Sequence, residues 1–196
     1  MLIDKLKGKS LILASQSPRR QELLLAMGLD FSVILKSIDE TFPEGLSPQK
    51  IAEHIAKNKA SVFENEVKPN EIVITGDTIV CNKNQILGKP KDSQDAYKMI
   101  TDLSGTSHQV ISSICLLTQD KLITDSDTAI VQFKELTKKE IEYYIDNFKP
   151  FDKAGAYGIQ EWLGHIGIVR LEGSFNTVMG LPTHLLYQML MQLVDN

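Results

Sequence analysis

The 196 residues are 42% hydrophobic and 23% charged, with a formal net charge of −4 and a pI near 5.6. That composition belongs to globular proteins, so disordered and fibrous classes are excluded, and its acidic balance argues against a dedicated nucleic-acid binder. No apolar run approaches the roughly 20 residues of a membrane helix, and Leu11–Ala14 is shorter than the about 7–15 residues of a signal-peptide core. A cytoplasmic protein with no membrane partner is the expectation.

Strands and helices alternate along the chain, the pattern of an α/β fold. Leu11–Ala14 reads as a short buried strand. Ser17 then offers a capping hydroxyl, and Pro18 takes the first helical position, where its missing N–H costs nothing. Gly28 suits a left-handed stop to that helix. Phe31–Leu35 is a second strand, and Ser47-Pro48 opens a helix to about Phe63 with Ile51, Ile55 and Val62 inward. Glu71–Thr75 reads as a strand, and Ile79–Val80 pairs with Ile86–Leu87 across a polar Asn82–Gln85 turn. Asp92 or Ser93 starts a helix that ends near Leu103. Ser107–Thr118 and Leu122–Phe133 form a long hairpin, with Ala129, Val131 and Phe133 alternating on one face. Thr137 caps a helix whose apolar stripe is Ile141, Tyr144, Ile145 and Phe148. His165–Leu171 and Ser174–Thr177 read as a final hairpin, followed by a closing helix over Thr183–Val194 with Leu185, Leu186, Met189, Leu190, Leu193 and Val194 inward. The expected architecture is an elongated mixed β-sheet flanked by helices, in one domain spanning residues 1–196.

Chemistry-bearing residues gather at element ends. The chain has three arginines, and two of them, Arg19 and Arg20, occupy the first turn of one helix. Cations there oppose the helix dipole by about 0.3–1 kcal/mol each, so an anion held by Ser15, Ser17 and the guanidinium groups would explain the placement. The plain alternative is a capped helix with two solvated arginines. Asp77, in Thr75-Gly76-Asp77-Thr78, stands at the end of an apolar strand, where α/β proteins place catalytic groups; an ordinary turn aspartate is the competing reading. Gly88-Lys89-Pro90 aims one lysine from a tight turn. Asp152 to Gln160 is a loop of small residues with polar tips at Asp152, Lys153 and Gln160. Glu40 follows an apolar strand, and Lys57 and Lys59 lie on the Ser47-Pro48 helix, where lysines usually form a solvated face. Cys81 and Cys115 lack CxxC spacing and read as buried structural thiols, and His108 reads as structural. The four histidines show no zinc spacing, so a metal here would be a hard ion held by oxygen. Cations and carboxylates together suit a polyphosphate with a divalent cation, whereas Walker A and GxSxG sequences are missing.

The ordered segments SQSPRR, IDET, AKNKA, TGDTIV, LGKP, LSGTSHQV, DKAGAYGIQ and GLP resemble those of the Maf family of nucleoside triphosphate pyrophosphatases. The resemblance runs from about Leu11 to Pro182. It implies an α/β fold similar to that of inosine triphosphate pyrophosphatases, a cytoplasmic location and a link to cell division. The implied reaction uses Mg²⁺ or Mn²⁺ to cleave the α–β phosphoanhydride bond, giving nucleoside monophosphate and pyrophosphate. On that pattern Asp77 is the proton acceptor and, with Glu40, the metal ligand. Ser17, Arg20, Lys59 and Lys89 would bind phosphate. Arg19, Thr78 and Gln160 match the subgroup that favours dTTP and UTP over the one that favours 7-methyl-GTP. Gly76 departs from the alanine expected at that place in many members. By family analogy a homodimer is the expectation. A nucleotide-binding regulator of division with vestigial hydrolysis uses the same pocket, although a carboxylate facing phosphates favours an enzyme.

Overall fold

The computed structural model describes residues 1–83 and 85–195, so Asn84, inside the expected Asn82–Gln85 turn, lies outside the described residues. In chain order the first elements are α1 (Leu2–Lys5), β1 (Ser10–Leu13), α2 (Pro18–Ala26), β2 (Phe31–Val33) and α3 (Pro48–Ser61). Then follow β3 (Glu71–Asn82), β4 (Gln85–Leu87), α4 (Ser93–Leu103), β5 (Ser107–Leu117) and β6 (Leu122–Phe133). The last are α5 (Lys138–Phe148), a 3-10 turn at Ala154–Ala156, α6 (Trp162–Gly167), β7 (Ile168–Glu172), α7 (Phe175–Met179) and α8 (Thr183–Asp195). The seven strands make a mixed sheet in the order β2-β1-β3-β5-β6-β7, with β4 paired to β3. The sheet flanked by helices confirms the α/β class.

Two compact units divide the chain. The first comprises Met1–Asp77, Ser112–Asp127 and Gly180–Asn196; the second comprises Thr78–Ile111 and Thr128–Met179. In the first, β1 pairs in parallel with both β2 and β3, so its side chains meet helices on both faces. Leu11, Leu13, Ile72 and Ile74 pack against Leu24 of α2 and Leu186, Met189 and Leu190 of α8. Ile12 and Val73 point the other way, onto Ala56 and Ala60 of α3 and onto Phe63. Each such fully buried leucine or isoleucine stabilises the unit by about 1.5–3 kcal/mol before entropy is charged against it. Ile51 and Ile55 are buried as expected, but α3 ends at Ser61 and leaves Val62 38% exposed.

In the second unit Ala129, Val131 and Phe133 are buried on one face of β6, and the neighbouring core is supplied by Ala96, Ile100 and Leu103 of α4 and by Ile141, Tyr144 and Ile145 of α5. Thr137 and Glu140 close a reciprocal capping box at the start of α5, and Lys134 helps hold the Glu140 carboxyl down to about 2. Phe148, expected inward, is instead 36% exposed and stacks on Tyr144.

Two sequence expectations are corrected. Thr75 does not end a strand: β3 runs unbroken through Gly76-Asp77-Thr78 as a twelve-residue strand. Local breaker residues are overridden there by the neighbouring strand β5, whose Ser113 lies beside Gly76 and Asp77, whereas pairing with β1 ends at Ile74. Gly76 makes the fit possible, since a Cβ on it would lie 2.5 Å from the Ser113 carbonyl oxygen. The final hairpin is also absent. His165 lies within α6, β7 pairs antiparallel with β6, and Ser174 accepts the Asn176 N–H to start α7. The α6 turn needs Gly164, where a Cβ would stand 2.0 Å from the Ile159 carbonyl oxygen.

His108 is buried as expected. Its Nε2 lies 2.7 Å from the Tyr157 hydroxyl and its ring stacks on Phe133, while Nδ1 finds no hydrogen-bond partner among the described residues. Burial pushes its pKa down to about 4. The folded state therefore refuses a proton that the unfolded chain accepts below about 6.5, and stability falls as pH drops from 6.5 towards 4. At about 1.4 kcal/mol per unit the total loss is roughly 3 kcal/mol. Urea unfolding at pH 7 and pH 4.5 should show a smaller difference for His108→Gln than for the parent chain; equal differences would place the acid sensitivity elsewhere. Gly76→Ala should cost about 1–3 kcal/mol, because the clash is with backbone that cannot rotate away. An unchanged melting temperature would mean that β3 and β5 separate freely at this point.

Candidate active site

The first unit collects three of the expected residues around one ammonium group. Lys59, near the end of α3, places Nζ 2.8 Å from Asp77 Oδ1 and 2.8 Å from Glu40 Oε1. Asp77 sits in the middle of β3 and is largely buried, as is Lys59, whereas Glu40 is exposed in the segment before α3. A lysine on a solvated helix face was the ordinary expectation. Instead its charge balances two carboxylates from separate segments.

Ser17 acts as read from the sequence, its hydroxyl accepting the Arg20 N–H at the start of α2. Arg20 itself departs from the picture of a solvent-facing cation. Its guanidinium is buried, with Nε donating to the Gly180 carbonyl at 2.9 Å and Nη1 to Ser15 Oγ at 3.1 Å. Burial draws its pKa down and the Asp77 carboxylate opposes that shift. Arg19, one residue earlier, is half-buried.

In the second unit the structure joins two segments that the sequence offered separately. The Gly155 N–H donates to the Gly88 carbonyl at 3.1 Å, tying the Gly88-Lys89-Pro90 turn to the loop that carries Gln160. Lys89 is exposed on that turn, and Thr78 is half-buried on β3. The loop is braced by groups the sequence did not single out. Lys153, read as a cation for phosphate, is buried with Nζ 2.8 Å from Asp152 and 2.9 Å from Glu161. Tyr144 donates its hydroxyl to the other Glu161 oxygen and accepts the Gly158 N–H at 3.0 Å. Tyr144 appeared only as one apolar position of α5, so its polar end left no sequence signal. Gln160 Oε1 is buried and has no hydrogen-bond partner among the described residues. Cys81 and Cys115 are buried and free, as expected. Among the described residues no group of three or more His, Cys, Asp or Glu could hold a metal, and no helix is long and apolar enough to cross a membrane.

Comparison with known proteins agrees with these segments. The family model described as Maf-like protein matches residues 10–193. A protein named dTTP/UTP pyrophosphatase from Flavobacterium johnsoniae is 48% identical over 194 residues, covering 99% of this chain and 100% of that one. Another of the same name, from Christiangramia forsetii, is 46% identical over 196 residues and covers both chains fully. Among solved structures, the Ham1 protein of Staphylococcus aureus shares the fold, with a TM-score of 0.55 at 16% identity over 94% of this chain and 99% of that one. With nearly the whole length matched, the chain belongs to the Maf family.

Proposed function

We propose that this Maf protein is a nucleoside triphosphate pyrophosphatase that hydrolyses dTTP and UTP to the monophosphate and pyrophosphate, with residues 1–196 working as one catalytic domain. The activity is the one carried in the names of relatives at 48% and 46% identity. The observation that carries the chemistry is the Lys59 ammonium held at 2.8 Å by both Asp77 and Glu40.

A divalent cation of the Mg²⁺ or Mn²⁺ kind fits these residues. Two carboxylate oxygens from separate segments already converge on one positive charge, and such ions take one or two carboxylates with phosphate oxygens and water. Asp77 and Glu40 would hold it, and when bound it screens phosphate charge and makes a nearby water more acidic. Asp77 orients the water that attacks the α-phosphorus and takes its proton. The new bond joins that oxygen to the α-phosphorus, the bond to the α–β bridging oxygen breaks, and pyrophosphate leaves. Lys59, Arg20 and Lys89 stabilise the charge that grows on the leaving group, and the Ser17 turn orients phosphate oxygens.

Arg19, Thr78 and Gln160 select the base in this reading. The unpartnered Gln160 Oε1 suits the N3–H of uracil or thymine, and its amide N–H suits an adjacent ring carbonyl. Cytosine carries no proton on N3, so the buried oxygen would face a lone pair and the nucleotide would be rejected.

Phosphorus NMR of a UTP digest should show UMP and pyrophosphate from the start, with EDTA stopping the reaction and Mg²⁺ or Mn²⁺ restoring it; early orthophosphate would overturn the bond assignment. Asp77→Asn should bring kcat below a tenth of its parent value, a barrier increase above about 1.4 kcal/mol, with nucleotide still bound. Retention of more than that tenth would remove Asp77 as the acceptor. Gln160→Ala should lower kcat/KM for UTP far more than for CTP or purine triphosphates, whereas a uniform loss would remove Gln160 from base selection.

A further inference from the structure

The Lys59–Asp77 contact depends on how α3 lies against the strands of its own unit, and two hydroxyls settle that. Ala52, Ala56 and Ala60 recur every fourth residue along α3 and are fully buried, so the helix backbone approaches the sheet closely. At that approach side chains from the strands reach the helix carbonyls. Thr75 Oγ1 on β3 donates to the Ala56 carbonyl at 2.6 Å, and Ser113 Oγ on β5 donates to the Ala52 carbonyl at 2.7 Å. Both hydroxyls are buried.

We propose that Thr75 and Ser113 are positioning residues that lock the rotation and register of α3 so that Lys59 reaches Asp77. The inference rests on the reading of Lys59 and Asp77 as working partners. Two anchors one helical turn apart fix both the angle and the height of the helix; a slip of one residue would move Lys59 by about 1.5 Å and turn it by about 100°. Lys59 follows Ala52 by one heptad, so it projects within about 20° of that anchor point. Thr75 and Asp77 are two residues apart on β3 and therefore share a face of the strand. Ser113 goes further, because its oxygen also accepts the Asp77 N–H at 3.3 Å. One hydroxyl thus touches the backbone of the helix that carries the cation and the backbone of the carboxylate that receives it. A helix carbonyl in mid-helix already has its own N–H donor, so these bonds are not needed to complete α3. What they add is a defined seat.

The test follows the Lys59 ammonium directly by ¹H–¹⁵N NMR without nucleotide, its signal assigned by its loss in Lys59→Arg. In the parent protein the signal should show slow exchange with water, and Asp77→Asn should speed that exchange. Thr75→Val and Ser113→Ala should speed it as well, and Thr75→Ser should restore it. In parallel, Thr75→Val and Ser113→Ala should lower kcat for UTP roughly tenfold, the scale of a small misplacement of reacting groups. Thr75→Val should have no further effect in a Lys59→Met background, whereas a purely structural loss would multiply. If Thr75→Val does not fold, Ser113→Ala carries the same comparison. Slow exchange that responds to Asp77→Asn but to neither hydroxyl variant overturns the positioning role alone. Exchange that ignores Asp77→Asn overturns the pairing of Lys59 with Asp77 itself, and the positioning role with it.

Discussion

One ammonium group shared by two carboxylates organises the first unit. Lys59 comes from α3, Asp77 from the middle of β3 and Glu40 from the irregular segment between β2 and α3, so the contact needs three pieces of chain at fixed distances. An exposed ion pair would be worth little, about 0–1 kcal/mol, and would not fix anything. Lys59 and Asp77 are mostly withdrawn from water, where an unpaired charge is costly and the geometry matters. The buried alanines of α3 let the helix approach the sheet, where the hydroxyls at 75 and 113 meet its carbonyls.

Arg20 supplies the counterweight behind the strand. A buried guanidinium carries a large desolvation cost, which falling pKa alone does not relieve, because arginine stays charged. Its donors meet fixed oxygens at Gly180 and Ser15, and the Asp77 carboxylate adds favourable charge. Arg20 is therefore held in place before any ligand arrives. In the proposed reading, a cation held without freedom would lose little entropy when a phosphate comes to it.

Features fixed by neighbouring residues were legible in the sequence. The caps at Ser17, Ser47, Asp92 and Thr137 all form, since an N-cap needs only its own first turn. The alternation of Ala129, Val131 and Phe133 and the inward face of α8 were legible for the same reason. The continuity of β3 was not, because Gly76-Asp77-Thr78 reads locally as an ending and only pairing with distant strands extends it. The segment after Ile159 misled in the same way: His165 reads as the start of a strand, yet it lies in α6, which Gly164 lets pass the Ile159 carbonyl. Among candidate site residues, the types were readable and the partners were not. Nothing near Lys59 in the sequence announces Asp77, and nothing near Lys153 announces that its charge is committed to Asp152 and Glu161.

The second unit treats its polar groups in the opposite manner from a satisfied core, and that contrast bears on selectivity. Lys153, Glu161 and Tyr144 form a connected network in which each charge or hydroxyl has a partner, and the Gly158 N–H joins it. Such a network rigidifies the loop it holds. Within the same loop, Gln160 keeps a buried oxygen with no partner among the described residues. A flexible loop would relax until that oxygen found a donor, since a buried unsatisfied acceptor costs about 1–3 kcal/mol. The braced loop opposes that relaxation, and in the proposed reading a ligand with a correctly placed N–H would remove the cost. On that reading, discrimination would rest on the rigidity supplied by Lys153, Glu161 and Tyr144 as much as on the Gln160 amide.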